Sequence, residues 1–281
     1  LFARAIEVPG GLKIQTIHAF CASLLRKFPL EAGISPQFRE LDERGQRELY
    51  LKVLELISKD KLTQESFEHF LKIANASNWE EIILKIVSKR HVFSKNKSRV
   101  EIFEAFNLNS NVSIDDDISA HFEQNTLNLF RRISDCLKKS SSKADQKTAK
   151  ELTEIASINL ASIQLLEKIF LYGKSAKSPF TAKLGKFSTK EMRSSFLVHF
   201  MDDIDDFMVR LEHFRNRRLS YQAAEASLSI HKFAETFLAV YKAQKHIKSL
   251  LDFDDLIDIT VNLLTTAEVA DWVLYRLDGG I

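Results

Sequence analysis

Residues with types and spacings suited to chemistry fall into three sets in this 281-residue chain. The first is Thr16-Ile17-His18, with Cys21 one helical turn further on. Residues 12–15 alternate apolar and polar, which suits a strand. From there Ile17, Phe20, Cys21, Leu24, Leu25 and Phe28 fall at i, i+3, i+4, i+7, i+8 and i+11, one apolar stripe of a helix. Thr16 can cap that helix, because its hydroxyl can accept a bond from an otherwise unpaired amide of the first turn. A strand that turns into a helix N-terminus favours an anion, since free N–H groups and the helix dipole both point at it. The second set is a run of cations with no acid among them: Lys85, Lys89, Arg90, Lys95, Lys97 and Arg99. Each can neutralise a phosphate and release counterions, and His91 and Phe93 could add stacking, as in single-strand binders. The same run also reads as a solvated surface, which is the commoner role of a charge cluster. The third set is acidic: Asp252, Asp254 and Asp255, and separately Asp202, Asp203, Asp205 and Asp206. Either could hold a metal. An acid-rich helix N-terminus and a solvated helix face are the simpler readings.

Two tempting patterns fail on spacing. Gly173-Lys174-Ser175 suggests a phosphate-binding loop, but G-x-x-x-x-G-K-[ST] requires glycine where Lys168 stands. Ile169, Phe170 and Leu171 before it look like the end of a helix rather than a strand. His18 and Cys21 could share a metal, yet no second ligand pair has zinc spacing, and Cys21 lies on the apolar stripe.

Composition narrows the class. The chain is 45% hydrophobic and 28% charged, ordinary for a soluble globular protein of one large or two smaller domains. Its 21 Phe are ample for a core. A formal net charge of +2 supplies no global field, so any footprint for a polyanion must be local. The two cysteines, Cys21 and Cys136, suggest no disulfide framework and fit a reducing, cytoplasmic location. No apolar run approaches the ~20 residues that span a membrane. The first residues, Leu-Phe-Ala-Arg-Ala-Ile-Glu, lack the order of a signal peptide, and both ends stop abruptly, which reads as an excised fragment.

The elements that must position these residues are mostly helical. Pro9-Gly10-Gly11 is a turn, and residues 38–41 read as a brief extended segment. Asp42 opens a helix with the stripe Leu49, Tyr50, Val53, Leu54 and Ile57. Further helices carry Phe67, Phe70, Leu71 and Ala74, then Trp79, Ile82, Ile83, Ile86 and Val87, then Val100, Phe103 and Phe106. After a polar break over 107–117, Phe122, Leu129, Phe130, Ile133 and Leu137 repeat with helical spacing. The Lys/Ser-rich residues 138–150 read as a mobile loop or frayed helix end. Leu152, Ile155, Ala156, Ile163, Leu166 and Phe170 read as one helix, followed by a loop over 173–187. Ser188 and Glu191 have capping-box spacing, which predicts a long helix to about Arg218. A separate helix carries Phe233, Phe237, Val240 and Tyr241, and a last amphipathic one lies around Trp272 and Leu274.

The run Gln15-Thr16-Ile17-His18-Ala19-Phe20-Cys21, followed by Leu24-Leu25-Arg26, resembles the T-[FI]-H-[SAG]-[FL] motif of UvrD/RecB-like superfamily 1 helicases. With Pro9-Gly10-Gly11 before it and Phe28-Pro29-Leu30-Glu31-Ala32-Gly33 after it, it is similar to helicase–nucleases of the AddA type, those of alphaproteobacteria above all. Leu251-Asp252-Phe253-Asp254-Asp255-Leu256-Ile257 matches the D-F-x-D-L segment of the same family, and residues 272–281 resemble the stretch before its Walker B strand. Residues from about 61 to 249 match only in helical character.

The resemblance implies a mainly α chain. A helical 1B-type insertion subdomain (42–249) would stand between remnants of a RecA-like α/β motor domain at the two ends (1–41 and 250–281). It implies a DNA-binding fragment of an ATP-dependent DNA helicase/nuclease that processes double-strand breaks for recombinational repair. Thr16 would contact a phosphate of the tracking strand and His18 would support that contact. Lys85, Lys89, Arg90, Lys95, Lys97 and Arg99 would contact DNA on the insertion. Walker A and Walker B motifs are absent from the sequence, so ATP and Mg belong to the full-length parent, and the fragment is expected to hold no cofactor or metal and to be inactive alone. The implied partners are DNA and a protein of the AddB type. The alternatives are a helical module that contacts the AddB-type partner, another UvrD/Rep-like helicase, and a free-standing enzyme built on the acidic clusters. The first helix and the last two are expected to pack together as roots of the insertion and to leave apolar surface exposed.

Overall fold

Local sequence sets the helix starts in the computed structural model, which describes residues 15–75, 77–122 and 125–277. The chain is mainly α, and the described strands are two residues each. It forms two compact units, one from residues up to 96 together with 229 onward, the other from 97–228.

The first unit holds α1 (Ile17–Lys27), β1 (Arg39–Glu40), α2 (Glu43–Lys59), α3 (Gln64–Ile73), α4 (Trp79–Ser88) and a 3-10 turn at Arg90–Val92. Asp42 caps α2, its carboxylate accepting from the Gly45 amide at 2.7 Å. A Cβ at residue 45 would stand 2.9 Å from that same oxygen, so the glycine lets the cap close. The stripe of α2 buries Leu49, Tyr50, Val53 and Ile57 against Ile83 and Ile86 of α4 and against Phe233 and Phe237. A second core joins Cys21, Leu24 and Leu25 of α1, Phe28 just after it and Phe38 to Leu256, Leu263 and Val273. These last three lie on α12 (Phe253–Thr265) and α13 (Ala267–Leu277). The first described helix therefore packs with the last two. β1 pairs in parallel with β2 (Leu250–Leu251), Arg39 opposite Leu250 and Glu40 opposite Leu251. Most of the strand expected over 12–15 lies outside the described residues.

The second unit contains α5 (Arg99–Ala105), α6 (Ile114–His121), α7 (Asn125–Leu137), α8 (Lys143–Thr153), α9 (Leu160–Phe170), α10 (Lys190–Ser194) and a 3-10 turn at Val198–Phe200. The long helix α11 (Met201–Ile247) gives residues 201–228 to this unit and 229–247 to the first. Ser98 with Glu101 and Ser113 with Asp116 form reciprocal capping boxes on α5 and α6. Phenylalanines fill the core. Phe170 stacks on Phe187 at 4.9 Å and meets the edge of Phe207 at 5.1 Å, and Phe130 meets Phe207 at 5.0 Å.

Several elements differ from the sequence reading, each for a local reason. Residues 138–142 are the expected turn, but 143–150 are not a loop: α8 folds there because Ala149 and Leu152 bury against α7, while its lysines stay in water. Asp145, 6% exposed, accepts from Ser140 Oγ at 2.7 Å and fixes the turn that starts α8. The expected single helix over 152–170 is two, because the Asn159 side chain caps α9 by accepting from the Ser162 amide at 3.0 Å. Thr189 rather than Ser188 caps α10, and that helix ends at Ser194. The helices expected on either side of Arg218 are one. No glycine or proline interrupts 201–247, and Glu167 accepts two bonds from the Arg218 guanidinium, at 2.7 and 2.8 Å, so the charge stays in the helix. Ile17, read as the first residue of the α1 stripe, is 71% exposed. Gly173 follows the end of the helix α9 rather than a strand, so the strand–loop–helix order of a phosphate-binding loop is not present there.

Candidate nucleic-acid interface

Thr16 caps α1 as its sequence position predicts, Oγ1 accepting from the Ala19 amide at 3.2 Å. No acid stands in the first turn of α1, so no carboxylate of that turn competes with an incoming anion. His18 is half-buried and its ring lies 4.7 Å from that of Phe253, tilted by 48°. Phe253 is the first residue of α12. The T-I-H turn and the D-F-x-D-L segment, separated by almost the whole chain, therefore touch through one aromatic pair.

The neighbour of Phe253, Asp252, holds that helix end in place. Its side chain accepts from the Asp255 amide at 2.8 Å, and Asp255 accepts in return from the Asp252 amide at 3.1 Å, a capping box. Around it stand two cations. Lys245 Nζ donates to Asp252 Oδ2 at 2.6 Å and also to Asp255. Arg90 reaches Asp252 at 3.2 Å, Asp255 at 3.1 Å and Asp258 at 2.5 Å. The Tyr241 hydroxyl donates to Asp252 Oδ2 at 3.1 Å. Asp252 is 3% exposed, and a buried carboxylate persists as an ion only when it is paired this densely.

The titration of the cluster follows from the same contacts. Burial works against the Asp252 carboxylate, but the Lys245 charge and hydrogen bond prevail and hold it below its usual value. Burial and the adjacent Asp252 charge push Asp255 up. Burial opposes the charge on Arg90 as well, and the Asp258 hydrogen bond with the Asp252 and Asp255 charges more than offsets it, so its affinity for its proton rises. Burial raises Tyr241, helped by the Asp252 charge, and lifts Tyr50 to about 12.

The cations of the sequence run have different surroundings. Arg90 is turned inward to three carboxylates. Lys85, in the last turn of α4, pairs with Glu81 at 2.5 Å on an exposed face. Lys89 and Lys95 are exposed, with no ion pair among the described residues, and Phe93 packs its ring 5.0 Å from that of His231. Lys97 and Arg99 belong to the second unit. There Lys97 is exposed, while Arg99 pairs with Glu225 at 2.7 Å and stands 4.1 Å from the centre of the Phe103 ring.

The acidic sets take the simpler of their two readings. Asp252 and Asp255 form the cap of α12, and Asp205 accepts from the Gly185 amide at 3.1 Å while Asp202, Asp203 and Asp206 do not converge with it on a metal-binding group. Among the described residues no group of His, Cys, Asp and Glu could hold a metal ion, and Cys21 is 4% exposed within the core. Lys245 escaped the sequence reading, and Tyr241 entered it only as an apolar helix position. Their signal was an i, i+4 pair at the end of a helix, facing acids at i, i+3 and i+6 in the next. No helix among the described residues is long and apolar enough to cross a membrane.

Comparison with known proteins gives the same direction. Over 74 residues the chain is 31% identical to a protein of Desulforamulus reducens that is described as part of an ATP-dependent helicase/nuclease, a stretch that covers 26% of this chain and 6% of that protein. Residues 7–277, almost the whole chain, match the UvrD/REP helicase N-terminal domain, and the chain belongs to that helicase family.

Proposed function

We propose that this chain is the DNA-contacting part of an ATP-dependent DNA helicase/nuclease of the AddA type, acting on double-strand breaks with an AddB-type partner. The observation that carries the DNA role is the capped N-terminus of α1, free of acids in its first turn and braced by Phe253 of the D-F-x-D-L segment. Thr16 and His18 hold a phosphate of the tracking strand. Lys85, Lys89, Lys95, Lys97 and Arg99 add contacts along the backbone, and Arg90, already matched by three carboxylates, anchors the root of that run. The residues between the two ends act as a helical 1B-type insertion. ATP and Mg belong to the parent protein, whose hydrolysis would drive translocation, and this part binds without turnover. The name of the Desulforamulus relative supports the helicase–nuclease assignment.

Fluorescence anisotropy with single-stranded and forked DNA across a salt series tests this. Wild type binds at low salt. The combined Lys89→Gln, Lys95→Gln and Lys97→Gln variant binds more weakly, with a salt slope flatter by about 0.7 for each single-strand phosphate contact removed. Absence of affinity at low salt sinks the DNA role, and an unchanged slope sinks the role of the lysines. A second reading, a helical module that docks on the AddB-type partner, draws on Trp272 and Leu274, each 46% exposed, and Tyr275, 77% exposed, on α13. Co-purification with that partner that is lost on Trp272→Glu, in a chain that does not bind DNA, would favour it.

A further inference from the structure

A second cationic and aromatic surface lies in the unit formed by residues 97–228, built from none of the residues assigned above. Arg132, Cys136 and Lys139 fall at i, i+4 and i+7 along one face of α7 and the turn that follows it, so about 10 Å separates the outer two. Residues 196–200 run along that face in the opposite sense. Arg132 stands 4.5 Å from the centre of the Phe200 ring, and Lys139 stands 5.0 Å from the centre of the Phe196 ring. Between them Cys136 Sγ donates to the Phe196 carbonyl at 3.3 Å. Leu197, fully buried, anchors the segment from beneath, and its amide donates to the Met192 carbonyl at 2.9 Å. The segment is thus fixed, yet Phe196 is 45% and Val198 49% exposed. The charge is lopsided on the α7 side, while exposed Asp202 and Asp203 follow Phe200 on the other. Arg131, Arg132, Lys138 and Lys139 are exposed, and the one acid among residues 131–143, Asp135, is already paired with Lys138 at 2.8 Å.

A fixed, exposed aromatic ring with a row of cations along its α7 side matches the demands of an unpaired nucleotide strand. Its bases offer π-faces and its phosphates offer charge at short, regular intervals. A duplex hides its base faces, so it would engage the cations and leave the ring unused. We propose that the ledge made by α7 and residues 196–200 binds single-stranded nucleic acid, with a base stacked on Phe196 and the flanking phosphates held by Arg132 and Lys139. The proposal rests on the reading that the chain handles DNA, and it places a strand-binding surface on the helical unit in addition to the turn at Thr16.

The test is anisotropy of the whole chain with a fluorescein-labelled oligothymidylate of about 20 nucleotides, against a blunt duplex of equal length. Phe196→Leu keeps an apolar side chain and removes the ring face, and it should weaken oligothymidylate binding roughly 5- to 100-fold, the worth of one stacked base. Phe196→Tyr should bind as wild type does, which separates loss of stacking from loss of fold. The Arg132→Gln and Lys139→Gln pair should flatten the logarithmic salt slope by about 1.4, two single-strand phosphate contacts. Equal affinity of Phe196→Leu and wild type overturns the proposal, as does an unchanged slope in the double variant, or duplex bound as tightly as single strand. If the Lys89, Lys95 and Lys97 variant loses affinity while Phe196→Leu does not, the ledge falls and the earlier reading stands. If Phe196→Leu alone weakens binding, the ledge stands and the lysine run falls. A wild-type chain that binds no oligonucleotide at low salt removes both.

Discussion

Asp252 combines two roles that are usually separate, helix cap and buried counter-ion. Replacing an ordinary N-cap by alanine costs about 1 kcal/mol. Asp252→Ala also leaves Lys245, itself 5% exposed, without one of its two carboxylates, so a loss of about 3–5 kcal/mol is expected in urea denaturation. Asp252→Asn preserves the cap acceptor and should still lose most of that, because the ion pairs carry it. Sequence alone showed an acid-rich helix N-terminus and not the pairs, since Arg90, Lys245 and Asp252 are far apart in sequence or on different elements. The exposed caps predict a pH dependence. Hydrogen bonds from Ser98 hold Glu101 below its usual value, and those from Ser113 do the same for Asp116. A carboxylate depressed in the folded state adds stability that is complete above the ordinary carboxylate range, about 4, and is lost as pH falls through its folded value. The penalty of the combined Ser98→Ala and Ser113→Ala variant should therefore be constant between about pH 6 and 8 and shrink below about pH 4. A penalty that grows in acid would contradict the assigned bonds.

Helices with a dense apolar stripe were legible residue by residue. α2 and α4 bury most of the positions that their spacing marks, and Asp42 caps the first of them. α8 was not legible, because lysine and serine dominate the stretch around it and only Ala149 and Leu152 carry its packing. Leu152→Ala should thus cost about 2–5 kcal/mol, as core truncations do, in a helix that begins in what reads as a surface loop. A change under about 0.5 kcal/mol, typical of an exposed site, would mean that α8 does not pack as described. The break between α10 and α11 was hidden by an accidental capping-box spacing. The continuity of α11 was hidden by Arg217 and Arg218, whose charges Asp117 and Glu167 accept from other helices. Such pairings are tertiary, and one sequence carries no local trace of them.

At the scale of the molecule, the ends carried motifs and the middle carried only periodicity, so the family could be read from the ends while the arrangement of the middle could not. Each unit has a buried aromatic core of its own, around Phe130, Phe170 and Phe207 in one and Phe233 and Phe237 in the other. Phe207→Ala should accordingly raise amide hydrogen exchange across α7, α8 and α9 and leave α1 and α12 protected, as measured by mass spectrometry. Loss of protection in all five helices together would show that the cores do not open separately.

The parallel pair β1–β2 also orders events in time. Arg39 and Glu40 emerge early in synthesis, and their partners Leu250 and Leu251 emerge only after all of residues 97–228. At elongation rates of about 5–20 residues per second, the first strand waits roughly 10–40 s for its mate. During that wait Leu24, Leu25 and Phe28 lack the α12 and α13 surfaces that cover them in the finished fold. The unit made of one continuous stretch can close first on the ribosome. The discontinuous one, which carries the Thr16 turn, is completed last, and until then its apolar α1 face stays open to water.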